Sequence, residues 1–105
     1  MTTTPEQLVN QIRVATDYQI NKKLLQEKIE TDLHLTYQGG LFKVTPDLIA
    51  FLNCWNDDTL IIVDVYDNPI SVNRIEFLTL CKQHYQTVMN LWQIEHEKLK
   101  TIRKI

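Results

Sequence analysis

From Arg74 to Ile105 the chain contains neither glycine nor proline, and this run limits the possible folds more than any other feature. Asn73 and Glu76 stand at capping-box spacing in front of it, so the sequence predicts one helix over about residues 74–104. A helix of roughly 32 residues is about 48 Å long, more than the ~30 Å width of a compact domain of this size. Part of it must project or pair. Leu78, Cys81, Tyr85, Val88, Trp92, Leu99 and Ile102 recur at alternating steps of three and four, with Glu95 as the polar member of the seam. That is the heptad spacing of a helix that packs along its length. Leu91 and Ile94 widen the stripe in its middle, which suits packing against more than one element. We therefore read Leu78, Tyr85, Val88, Trp92, Leu99 and Ile102 as the candidate interface.

The rest of the chain is organised in short units. Thr4, Pro5 and Gln7 carry helix-start chemistry, and Leu8, Ile12, Ile20, Leu24, Leu25 and Ile29 follow as a predicted apolar stripe. Thr16 and Asp17 allow a kink or a fresh start within this helix. Between Leu33 and Val44 the period changes to two. A Gly39-Gly40 turn would set Tyr37 opposite Phe42 and Leu35 opposite Val44, with Lys43, Thr36 and His34 on the wet face. Thr45-Pro46-Asp47 starts a short apolar helix that reaches Trp55. Leu60–Tyr66 reads as a second strand, and an Asp67-Asn68 turn would pair Val65 with Ile70 and Val63 with Val72. Isolated hairpins are marginal in water, so the two are expected to join in one antiparallel sheet covered by the helices. The expected fold class is thus α+β: two hairpins with an N-terminal, a short central and a long C-terminal helix. Residues 1–105 form one domain on this reading, with the last helix partly projecting.

The 105 residues carry a formal net charge of −2, are 44% hydrophobic and 23% charged, and contain two glycines, three prolines and two cysteines. This composition suits a folded globular chain and excludes a collagen-like, largely disordered or membrane-embedded one. It also lacks the basic excess of a dedicated nucleic-acid binder. Two glycines leave no Gly-rich phosphate loop. Cys54 and Cys81 have neither disulfide-framework nor zinc spacing, and nothing at the N-terminus reads as a signal peptide.

Candidate chemistry is sparse. Cys81 and His84 are three apart on a helix, yet no second pair completes a four-ligand site, so no metal or other cofactor is assigned. The carboxylates of Asp57-Asp58 and of Glu95 and Glu97 show no sign of converging on one pocket, and no catalytic residue is assigned. Lys98, Lys100, Arg103 and Lys104 form the one basic cluster. It suits a helix C-terminus by complementing the helix dipole, and as an alternative it offers phosphate contacts to nucleic acid.

Two stretches carry a family likeness: Gly39-Gly40-Leu41-Phe42-Lys43-Val44-Thr45-Pro46-Asp47-Leu48-Ile49-Ala50-Phe51-Leu52 and Tyr66-Asp67-Asn68-Pro69-Ile70-Ser71-Val72-Asn73-Arg74. A third is Tyr85-Gln86-Thr87-Val88-Met89-Asn90-Leu91-Trp92. With them the chain resembles small uncharacterised proteins of contractile-tailed phages, especially those infecting cyanobacteria. None of the three is a catalytic motif, so no functional residue is carried over. The resemblance implies a viral protein acting in the virion, in its assembly, or in the host cytoplasm. Together these readings lead us to expect a non-enzymatic interaction module, binding a protein partner or itself through the C-terminal helix. The alternative is a small regulator that contacts nucleic acid or a replication or transcription complex through the basic C-terminus. No membrane association is expected.

Overall fold

The computed structural model describes residues 4–103, with side chains described through residue 101. The order of elements is α1 (Pro5–Asp32), β1 (His34–Tyr37), β2 (Gly40–Lys43), α2 (Pro46–Cys54), β3 (Thr59–Val63), β4 (Pro69–Asn73) and α3 (Arg74–Arg103). The fold is α+β, with three helices and two antiparallel hairpins.

The capping signals act as the sequence indicates. Thr4 Oγ1 accepts from the Gln7 N–H and Gln7 Oε1 from the Thr4 N–H, at 3.2 and 3.1 Å. Thr45 Oγ1 accepts from Leu48 N–H at the head of α2, and Asn73 Oδ1 from Glu76 N–H at the head of α3. Each satisfies a donor that helix geometry leaves orphaned. No break occurs in α1, because the Thr16 hydroxyl donates to the Ile12 carbonyl one turn back instead of capping a new turn.

The first hairpin turns at Gln38-Gly39, not at Gly39-Gly40. Both turn residues have positive φ, 52° and 79°, as a two-residue primed turn requires. Leu35 therefore pairs with Phe42 and Tyr37 with Gly40, while Lys43 lies opposite His34. This register differs from the expected one by two residues. Because strand side chains alternate with period two, Tyr37, Phe42 and Val44 still share the buried face.

The second hairpin differs by an odd number, so its faces are exchanged. Val63 pairs with Pro69, Ile62 with Ile70 and Leu60 with Val72. Leu60 and Val72 are buried, whereas Ile61, Val63 and Val65 are exposed. The cause is Asp64, which ends β3 and organises a five-residue loop. Its Oδ1 accepts the N–H groups of Tyr66 and Asn68 at 3.0 and 2.9 Å, and its Oδ2 that of Leu41 at 3.2 Å. The Asn68 N–H does most to hold this carboxyl below the usual aspartate range; burial pulls the other way, and the Leu41 and Tyr66 N–H groups reinforce the lowering.

The hairpins remain two separate two-stranded sheets and do not merge into one. Their link is local: Leu41 gives its N–H to the Asp64 carboxylate and its carbonyl to the Val65 N–H. A carboxylate thus sits where a neighbouring strand would supply a carbonyl. Close by, a methyl group added at Gly40 would lie 2.8 Å from Cγ1 of Ile70, so the hairpins touch through the absence of a side chain.

Both hairpins and α2 pack on the first part of α3 as a head. Its core holds Tyr37, Phe42, Val44, Leu52, Leu60, Val72, Phe77, Leu78 and Cys81. Phe77 stacks on Tyr37 and tilts against Phe42, each with ring centroids 4.9 Å apart. Arg74 ties α2 in place, bonding the carbonyls of Leu52 and Asp57. Beyond the head α3 runs back along α1, and Leu25, Ile29, Leu33 and Val88 form a second core. The molecule measures 67 × 22 × 17 Å.

Candidate interaction site

The seam of α3 has two tenants within the same chain. Leu78 and Cys81 are buried in the head, where desolvation pushes the Cys81 thiol up to about 11 and keeps it from acting as a nucleophile near neutral pH. Val88 is buried against α1, with Trp92 and Leu99 half-buried beside it; Tyr85 touches both cores. Of the candidate interface residues, Ile102 has its side chain outside the described residues. The seam therefore faces α1 along much of its length; the large apolar side chains that α3 leaves in solvent include Leu91 and Ile94 beyond the head and Ile75 and Leu80 nearer its start.

His84 sets where the helices meet. Its Nε2 bonds the Asp32 carbonyl, the end of α1, at 2.6 Å. A carbonyl only accepts, so Nε2 carries the proton. This bond satisfies an acceptor that the helix terminus leaves open. His84 and Cys81 thus serve packing and capping, and no group of three or more His, Cys, Asp or Glu side chains among the described residues is arranged to hold a metal.

Where α1, α3 and the β2–α2 junction meet, a cleft of about 590 Å³ opens. Its floor is Ile29, Leu33, Val44, Pro46, Tyr85 and Trp92, and Lys23, Glu27, Glu30 and Lys43 stand around it. Lys43 and Glu30 form an ion pair from β2 to α1. Both are solvated, so the pair contributes little stability. An apolar floor with a charged rim can seat an apolar side chain.

The basic cluster is partly neutralised within its own helix. Lys98 pairs with Glu95 at 3.2 Å and Lys100 with Glu97 at 3.3 Å. The side chain of Arg103 and all of Lys104 lie outside the described residues.

The predicted stripe of α1 divides. Leu25 and Ile29 are buried, joined by Tyr18, while Leu8, Ile12, Ile20 and Leu24 are exposed, as is Val9. With about 3.6 residues per turn, Tyr18, Leu25 and Ile29 share one side and Val9, Ile12, Ile20 and Leu24 the other. The signal for the second face was present in the sequence, since Val9, Ile12, Ile20 and Leu24 fall about half a turn away from Tyr18, Leu25 and Ile29 at helical spacing. Trp55, also exposed, packs against Phe51 at 5.2 Å between ring centroids. Comparison with family models, curated proteins and solved structures found no match.

Proposed function

We propose that the chain is a non-enzymatic structural, assembly or accessory protein of a contractile-tailed phage, acting as a protein–protein interaction module in the virion or the host cytoplasm. The carrying observation is the two-helix arm, which extends from the head with large apolar side chains in solvent on both helices: Val9, Ile12, Ile20 and Leu24 on α1, Leu91 and Ile94 on α3. A monomer that works alone seldom leaves so much apolar surface along one element, whereas partner-binding proteins do. The phage assignment rests on the resemblance of residues 39–52, 66–74 and 85–92.

The test is a photo-crosslinking residue placed at Ile94 or Ile12 and activated during infection. The expected result is cross-linking to a defined phage or host protein, or to another copy, with the chain present among particle or assembly-intermediate proteins by mass spectrometry. Absence of cross-links from both positions would overturn the reading.

A further inference from the structure

We propose that the outer edge of β3 receives an added strand: an extended segment of another protein, apolar at its centre and basic at its ends. This surface lies on the head, apart from the arm. The ladder of the second hairpin shows which groups the edge offers. Arg74 donates its N–H to the Asp58 carbonyl, and Asp64 donates its N–H to the Asn68 carbonyl. With Leu60 paired to Val72 and Ile62 to Ile70, the even-numbered residues of β3 are thus the ones bonded to β4, because bonded and non-bonded positions alternate along an antiparallel pair. Thr59, Ile61 and Val63 therefore turn their N–H and C=O groups away from β4. No other strand pairs with β3, and all three residues are exposed.

Native sheet edges are commonly guarded by proline, lysine or a bulge. β4 has such a guard: Pro69 stands opposite Val63, at a position whose N–H would face outward. β3 has none, and Ile61 and Val63 on it are 63% and 58% exposed. A row of alternating donors and acceptors at strand spacing is complementary to extended backbone, which identifies the occupant as a strand. Charge identifies its ends. Asp57 and Asp58 precede β3 and Asp67 lies in the loop that follows; all three are exposed, and none is in an ion pair among the described residues. The Arg74 guanidinium, beside Asp57, is bonded to the carbonyls of Leu52 and Asp57. Lys or Arg at both ends of an added strand meets these carboxylates. A second copy fits less well. Antiparallel pairing of β3 with itself about Ile61 sets Asp58 opposite the other copy's Asp64, and like charges directly opposite are destabilising.

The experiment is amide hydrogen exchange, read by NMR, on the purified full chain titrated with the synthetic peptide acetyl-Lys-Val-Thr-Val-Thr-Val-Lys-amide. The same peptide ending in Glu is the control. The Thr59, Ile61 and Val63 amides are expected to exchange freely in the chain alone and at least about tenfold more slowly with saturating Lys-ended peptide. Ile61→Pro removes an outward donor and no ladder bond, so it should abolish the effect while the Leu60 and Ile62 amides stay protected by β4. Asp57→Lys combined with Asp58→Lys should weaken the Lys-ended peptide at least about tenfold and favour the Glu-ended one, which keeps the test decisive if the proline disturbs the hairpin. No protection at millimolar peptide, equal binding of both peptides by the wild type, or binding indifferent to these substitutions would overturn the inference. Protection of the three amides that grows with chain concentration in the absence of peptide would place a second copy on the edge and overturn it too. Cross-links from Ile12 or Ile94 report on the arm alone, so the failure of this inference and the failure of the module reading are separately visible.

Discussion

Asp64 shows how much one side chain can decide. Three backbone N–H groups converge on its carboxylate, two closing its own loop and one reaching from the other hairpin. Because its folded-state pKa is depressed, its contribution is present above the unfolded-state pKa and is lost as pH falls through the folded value. Asp64→Asn keeps the size but removes the charge and one acceptor oxygen. The variant should have a lower urea midpoint than wild type at pH 7, and the gap should close as pH falls through and below the ordinary aspartate range. Paired urea titrations check this; a gap constant with pH would mean that the charge contributes nothing to the loop.

At the scale of elements, the second hairpin separates two accounts of β3 with adjacent residues. Leu60 is buried opposite Val72, while Ile61 is 63% exposed opposite Ser71. Leu60→Ala should cost about 2–4 kcal/mol and Ile61→Ala within about 0.5 kcal/mol, as measured by denaturant unfolding. The register built on an Asp67-Asn68 turn, with Val63 and Val65 inward, puts Ile61 on the buried face and Leu60 on the wet one, so it requires the reverse order. In the first hairpin the same kind of error did no damage. A two-residue shift preserves the buried face and a three-residue shift inverts it, so loop length matters by its parity. In α1 the elements were legible but their partners were not. Thr4, Pro5 and Gln7 announce the start of the helix, yet nothing local says which of its two apolar faces α3 takes.

As a whole the molecule is far from spherical. The Cα radius of gyration is 20.1 Å, against about 13 Å for a compact chain of this length. The monomeric chain should therefore give a small-angle scattering radius near 20.1 Å. A value near about 13 Å would show that the arm folds back on the head. The elongation follows from division of the core: Phe77, Leu78 and Cys81 anchor α3 in the head, and Val88 with Trp92 and Leu99 engages α1 beyond it. Splitting the apolar residues between a head and a two-helix seam leaves little to cover the outer face of α1.

The sequence by itself determined what depends on neighbours along the chain. Thr4-Pro5, Thr45-Pro46 and Asn73 start the helices, the Gly- and Pro-free run extends α3, and Gly39 supplies a positive φ for a tight turn. Each acts within a few residues and has a fixed chemical signature. Only the tertiary structure decided that the hairpins stay apart, that β3 turns Leu60 inward, that α1 covers the seam of Val88 and Trp92, and that Val9, Ile12, Ile20 and Leu24 remain bare. These outcomes depend on long-range contacts: the Asp64 carboxylate taking the Leu41 N–H, the close approach of Gly40 to Ile70, and His84 meeting the end of α1 at Asp32. The apolar effect is non-directional. An apolar pattern therefore marks a face that gains from being covered, and the geometry of the assembled chain selects which such faces it covers itself.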